Sequence, residues 1–185
     1  MRVIAGIARS MPLQTIEGKD TRPTTDRIKE TLFNMLQNQV PGSRFLDLFS
    51  GSGGIGIEAL SRGAAEAVLV EKQPKACACI KKNLEFTKLA DRAVLMETDA
   101  LTAIRRLDGS SPFDLIYMDP PYAQGLEQDT LAALAKSTLV NMDTVVLVEA
   151  GLDTDFSFLP QTGLEIFREK RYKTNRHLFC RKEDI

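Results

Sequence analysis

Short apolar runs alternate with helix-length stretches from Arg44 onward, and no other feature of the chain constrains its fold as strongly. The runs at 45–48, 67–70, 93–96, 114–118 and 145–148 read as strands, and the stretches at 54–62, 74–87, 100–107 and 126–137 as crossover helices. Parallel neighbours need such crossovers, because a tight hairpin joins only antiparallel strands. A second pattern closes the chain: residues 164–172 and 177–181 flank the turn-like Lys173-Thr174-Asn175 and predict a hairpin. The expectation is an α/β fold, with a mostly parallel seven-stranded sheet, helices on both faces and an antiparallel C-terminal hairpin strand.

A lead-in helix precedes the sheet. Thr24 or Thr25 can cap it after Pro23, Asp26 sits in its first turn, and Ile28, Leu32, Met35 and Leu36 recur on one face until Pro41-Gly42. At 185 residues the chain suits one domain, with 1–43 as an N-terminal extension and 44–185 as the core. The net charge of -1 names no partner, but its distribution is uneven: +2 over 1–43, -6 over 44–163 and +3 over 164–185. Basic ends around an acidic middle suit a protein whose ends touch a polyanion while its centre holds something cationic. No run approaches the roughly 20 apolar residues of a membrane helix, and Arg9 interrupts the apolar opening. Neither a membrane span nor a signal peptide is expected, and the chain reads as cytoplasmic. Cys77, Cys79 and Cys180 form no C-x-x-C and His177 is the single histidine, so no metal site is expected and none of these residues is given a catalytic role.

In an open parallel sheet, ligands bind beyond the carboxyl ends of the strands. There Asp47 closes the first strand, Glu71 closes the second, Asp99 lies just past the third and Asp119 follows the fourth. Each alone reads as readily as a helix cap or a solvated loop residue; together they make one edge acidic. After Asp47 comes Phe49-Ser50-Gly51-Ser52-Gly53-Gly54-Ile55-Gly56, a G-x-G-x-x-G turn that opens a helix, with Glu71 twenty residues beyond Gly51 for a ribose diol. That pattern admits a dinucleotide dehydrogenase as well as a methyl-donor site. Charge separates the two: NAD brings a doubly anionic pyrophosphate, whereas S-adenosylmethionine is net cationic. Opposite unit charges ~4 Å apart attract by about 4 kcal/mol at an effective dielectric of ~20, before desolvation is counted. The expected cofactor is S-adenosylmethionine, with no metal. Asp47, Ser50, Gly51, Gly53 and Gly56 would surround its methionine part, Glu71 with Lys72 beside it would meet the ribose, and Asp99 with Ala100 the adenine.

Asp119-Pro120-Pro121-Tyr122 follows the fourth strand. Two prolines fix the backbone and remove two amide donors, so the turn presents acceptors. An amino group conjugated to a ring is a poor nucleophile because its lone pair is delocalised. The Asp119 carboxylate and Pro120 carbonyl could accept its two protons and let the nitrogen become tetrahedral. Tyr122 offers a flat face for an unstacked base, worth about 1–3 kcal/mol. Asp119, Pro120, Pro121 and Tyr122 are the candidate catalytic set.

This turn resembles the (Asp/Asn)-Pro-Pro-(Tyr/Phe) signature of class I methyltransferases acting on planar amino nitrogens, and Asp47-Leu48-Phe49-Ser50-Gly51-Ser52-Gly53 resembles their donor motif. More narrowly, Arg22-Pro23-Thr24-Thr25-Asp26-Arg27, Glu58-Ala59-Leu60-Ser61-Arg62-Gly63-Ala64 and Asp99-Ala100-Leu101 are similar to the RsmD family of bacterial 16S rRNA guanine-N2 methyltransferases. The likeness covers essentially the whole chain. It implies a Rossmann-like fold and transfer to the exocyclic N2 of one guanine, position 966 in reference rRNA numbering. The implied substrate is the assembled or assembling small ribosomal subunit. The chain departs from the family at Ser10-Met11-Pro12, where a Gly and basic residues are usual, and the basic run from Lys170 to Arg176 could compensate. The candidate RNA contacts are Arg9, Arg22, Arg27, Lys170, Arg171, Lys173 and Arg176, and a monomer is expected. Three other readings stay open here: adenine in DNA or a protein glutamine amide as acceptor, the dehydrogenase, and a non-catalytic RNA-binding module. About 43 residues before the sheet are few for the separate base-reading domain that DNA enzymes usually carry.

Overall fold

A computed structural model describes residues 1–16, 25–122 and 124–184, so Arg22, Pro23 and Thr24 of the sequence reading lie outside the described residues. The elements are α1 (Asp26–Met35), β1 (Arg44–Asp47), α2 (Gly54–Ser61), β2 (Glu66–Glu71), α3 (Pro74–Thr87), β3 (Ala93–Glu97), α4 (Ala100–Leu107), β4 (Leu115–Met118), α5 (Leu126–Lys136), β5 (Val145–Gly151), β6 (Leu164–Arg171) and β7 (Asn175–Lys182). Local chemistry sets the helix starts. The Thr25 hydroxyl accepts the Ile28 amide to cap α1, Pro74 occupies the first turn of α3, and Asp99 caps α4 through the Thr102 amide.

The strands form one sheet in the order β3-β2-β1-β4-β5-β7-β6. Strands β1 to β5 are parallel, and β7 runs antiparallel to both β5 and β6. The chain leaves β1 toward β2 and β3 and returns on the other side at β4, so the topological switch point lies between β1 and β4. A crevice is expected at their carboxyl ends, where Asp47 and Asp119 sit.

Register determines which side chains share a face. Asp47 pairs with Leu69 and Tyr117, Met118 pairs with Val148, and Glu149 pairs with His177. Because side chains alternate along a strand, Glu71, Asp47, Tyr117, Asp119, Glu149 and His177 all point to one side of the sheet. Below them on that side, Phe45, Leu69, Leu115 and Leu147 pack against Leu32 and Phe33 of α1, Ile57 and Leu60 of α2, and Ile80 of α3. On the opposite side Leu46, Val68, Ile116 and Val146 pack with Ala103, Ile104, Leu131 and Leu134 from α4 and α5.

The N-terminal segment is part of this core rather than an appendage. Val3, Ala8 and Leu13 are buried, and α2 holds the segment down. Glu58 accepts the amides of Ile4 and Ala5 at 2.9 and 3.1 Å, while the Ser61 hydroxyl donates to the Ala5 carbonyl and accepts from the Ala8 amide. Gly6 crosses so close to α2 that a Cβ would lie 1.8 Å from the Ser61 carbonyl oxygen, and its φ of +87° suits glycine alone. Further along, Asn83 ties the segment to the glycine turn. It accepts the Gln14 amide and donates to the carbonyls of Gln14 and Ser52.

Candidate active site

The structure brings the acidic edge together as the strand positions require. Asp47 ends β1 and is 1% exposed. Its Oδ1 receives a long, 3.4 Å contact from the Phe49 amide, and its buried Oδ2 has no hydrogen-bond partner among the described residues. Burial pushes its carboxyl up to about 7, against the pull of the Phe49 amide and Ser50. The Ser50 hydroxyl itself donates to the Asp47 carbonyl, tightening the turn.

Gly51, Gly53 and Gly56, three of the turn's four glycines, have different roles. Gly51, at φ +55°, has open space where a Cβ would sit, so its backbone is free to be approached by a ligand. Gly53, at φ +86°, caps α2. Gly56 lies within α2, where a Cβ would come 2.9 Å from the Leu69 side chain, so its part is close helix-to-strand packing. Glu71 accepts the Gly51 amide at 2.9 Å and the Gln73 amide at 2.8 Å, which joins the glycine turn to the loop after β2. Asp99 uses both oxygens on Thr102, whose amide and hydroxyl hold its carboxyl below the usual carboxylate range. Ala100 follows it, buried, and Lys72 is exposed.

Asp119 is half-buried just beyond β4. Burial, reinforced by Glu149, Asp47 and Glu127, pushes its carboxyl well above the ordinary range. Pro120 is buried and Pro121 exposed, and Tyr122 is 50% exposed with its ring over Gly151, where a Cβ would meet it at 3.8 Å. The sequence reading ended the fifth strand at Val148, but β5 continues through Glu149 to Gly151. The residue it missed is therefore Glu149, another strand-end acid, held by Tyr117, Asn175 and His177. The rule that selected Asp47 and Glu71 would have selected it too.

The basic candidates divide. The hairpin register places the β6–β7 turn at the same sheet edge as Gly151, so Lys170, Arg171 and Lys173 lie toward the Asp-Pro-Pro-Tyr turn. Arg171 is exposed and pairs with Glu169. Arg176 turns inward: it donates to the Thr154 carbonyl, pairs with Glu169 and stacks 5.4 Å over the Phe156 ring. Arg9 and Arg27 are exposed on the N-terminal turn and on α1. The three cysteines are buried and free, and among the described residues no cluster suits a metal ion. No helix among them is long and apolar enough to cross a membrane.

A seven-stranded sheet of this order, with an acidic edge and a glycine turn at its switch point, defines a class I methyltransferase. A methyltransferase from Geobacter metallireducens acting on precorrin-6y shares this fold, with a TM-score of 0.70 at 18% identity over 92% of this chain and 94% of that one. An Escherichia coli structure whose name places it among the methyltransferases superimposes with a TM-score of 0.84 at 30% identity, over 99% of this chain and 98% of that one. The family model described as conserved hypothetical protein 95 matches residues 1–181. Ribosomal RNA small subunit methyltransferase D of Escherichia coli K12 is 32% identical over 170 residues, 92% of this chain and 84% of that protein. The chain belongs to this family, the RsmD family.

The buried, unpartnered Asp47 oxygen and the open approach to Gly51 fit a cationic nucleoside. Such a site costs stability when empty. A carboxylate whose folded value lies above its unfolded value favours the folded state at low pH and loses that advantage as pH rises through about 7. Asp47→Asn is therefore expected to unfold at higher temperature than the parent above pH 7. The gap, roughly 4 kcal/mol at most, should close as pH falls from 7 toward 4. Thermal unfolding of the ligand-free proteins across that range checks it.

Proposed function

We propose that this protein transfers a methyl group from S-adenosylmethionine to the exocyclic N2 of a guanine in 16S rRNA, position 966 by family resemblance, in the assembled or assembling small subunit. The single observation that carries the reading is the placement of Asp47 and Asp119 on one face at the switch point, followed by the acceptor-only Pro120-Pro121 turn. S-adenosylmethionine supplies an electrophilic methyl on a sulfonium. Asp47 and Gly51 line the methionine side, Glu71 keeps free lone pairs for ribose hydroxyls beside Lys72, and Asp99 with Ala100 borders the adenine. The same carboxylates oppose a pyrophosphate, which disfavours a dinucleotide.

The target base leaves its stack and lies against Tyr122. Asp119 and the Pro120 carbonyl accept from its amine, which frees the nitrogen lone pair for in-line attack, and alignment with charge placement supplies most of the acceleration. Lys170, Arg171 and Lys173 at the same edge, with Arg9, Arg22 and Arg27, contact phosphates. The E. coli relative's name supports a small-subunit rRNA substrate. Radiolabel transfer to unmethylated small subunits, duplex DNA and a protein release factor tests the proposal. Label confined to guanine of 16S rRNA is expected, and label on DNA adenine or a glutamine amide would overturn it.

A further inference from the structure

We propose that Glu149 is a positioning residue that acts through Asp119. Fixed as a buried anion by Tyr117, Asn175 and His177, it keeps a proton on Asp119 in the empty site and so ties ionisation of Asp119 to the arrival of a cationic donor. The inference rests on the methyl-transfer reading above.

The grip on Glu149 is specific. Its Oε2 accepts the Tyr117 hydroxyl at 2.6 Å and lies 3.1 Å from His177 Nε2, while Oε1 accepts from Asn175 Nδ2 at 2.8 Å. The holders come from β4 and β7, the strands on either side of β5, so the carboxylate is clamped from both sides. All four side chains are buried, and the Tyr172 hydroxyl, 3.5 Å from His177 Nδ1, closes the network outward. Burial pushes the Glu149 carboxyl up, but His177, Tyr117 and Asn175 outweigh it and hold it below the usual range. Glu149 is also the register neighbour of Asp119, one position past the Met118–Val148 pair and on the same face. The charged groups that face Asp119 are Glu149 from β5, Asp47 from β1 and Glu127 from α5, all acids. Facing Glu149 are Tyr117, His177, Tyr172 and Asp119. Like charges this close cannot all ionise, and the one with three donors keeps its charge.

The proton balance closes over one turnover. When a cationic donor binds, the Asp119 O–H bond breaks, its proton passes to solvent and the electron pair stays on the carboxylate, which can then accept from the target amine. After methyl transfer the nitrogen carries one proton too many. Its N–H bond breaks toward Asp119, which regains its O–H beside an uncharged thioether product. One proton leaves per cycle, as methylation of an amine requires.

Calorimetric titration of the full chain at pH 7, in two buffers of different ionisation enthalpy, reads the protons released on binding. About one is expected for S-adenosylmethionine and several-fold fewer for S-adenosylhomocysteine. Asp119→Asn and Glu149→Gln should each reduce the difference, leaving the share released by Asp47, whose carboxyl is pushed up to about 7. Glu149→Gln should move the acid limb of the kcat profile down by about one pH unit or more, because Asp119 loses the acid that acts on it most strongly. Tyr117→Phe, which leaves Glu149 in place but removes one of its three donors, should move that limb down by less, because Glu149 then competes less well with Asp119 for the negative charge, and it carries the test if Glu149→Gln does not fold. Equal release for the two ligands, a difference that Asp119→Asn leaves unchanged, or an acid limb that neither variant lowers, overturns the proposal while leaving the methyl-transfer reading intact. Failure to bind S-adenosylmethionine at all overturns both.

Discussion

Asp119→Ala should lower kcat for methyl transfer by about 10³-fold or more while changing the dissociation constant for S-adenosylhomocysteine by less than about tenfold. The asymmetry follows from where the residue sits. Asp119 belongs to the turn after β4, whereas the surface proposed to meet the donor is built from Asp47, the Gly51 turn and the Glu71 bridge on β1 and β2. S-adenosylhomocysteine is uncharged overall, so losing an acid at the neighbouring position removes little of its binding. On the proposed mechanism, the alanine variant loses the acceptor that frees the amine lone pair. Asp119→Asn leaves an acceptor oxygen in the same place and should retain far more activity than alanine, with a rate that no longer falls on the acid side. Single-turnover kinetics with unmethylated small subunits, paired with calorimetry, separates the two effects. A variant with weakened ligand binding and normal single-turnover rates would contradict this division of roles.

The centre of the sheet was legible in the sequence because β1, β2, β4 and β5 are buried on both faces and read as continuous apolar runs, as in Ala67–Val70 within β2. Strand ends were legible wherever the apolar run stopped at a charge, which located Asp47, Glu71 and Asp119. At β5 the same signal finds the acid but sets the strand's end too early: β5 runs on past Glu149 to Gly151, because Tyr117, Asn175 and His177 satisfy the charge. Those partners come from residues 26 to 32 positions away in sequence, so no local pattern announces them. His177 was opaque for the same reason, since its role depends on the register of β7 against β5. Arg176 shows the converse, a basic residue in a basic run that the fold turns inward onto Thr154 and Phe156. The Glu58–Ala64 stretch was visible only as a resemblance, and its physical content, the anchoring of residues 4 to 8, needed the fold.

Glu58→Ala is expected to destabilise the protein by about 3–5 kcal/mol. Glu58 is fully buried and makes four interactions: the Ile4 and Ala5 amides, Arg62 Nε at 2.8 Å and Lys29 Nζ at 3.4 Å. Its removal strands a buried ammonium whose other acceptor is the Arg2 carbonyl. Burial already lowers the Lys29 value, with Glu58 opposing. Without Glu58 it falls further, so the folded variant binds fewer protons than the unfolded chain and gains stability as pH rises. Urea unfolding at pH 6, 8 and 10 should show the deficit shrinking, and Lys29→Met added to Glu58→Ala should recover part of it. A deficit under about 1 kcal/mol, or one indifferent to pH, would mean that water reaches Lys29. The effect should also reach the ligand site. Glu58 fixes residues 4 and 5, Asn83 fixes Gln14 at the other end of the same segment, and Asn83 also holds the Ser52 carbonyl beside Gly51. Loosening the segment frees the glycine turn, so Glu58→Ala should bind S-adenosylhomocysteine more weakly although the Glu58 side chain bonds to Ile4, Ala5, Arg62 and Lys29 and not to that turn. Asp119→Ala, by contrast, silences the chemistry and leaves this scaffold standing.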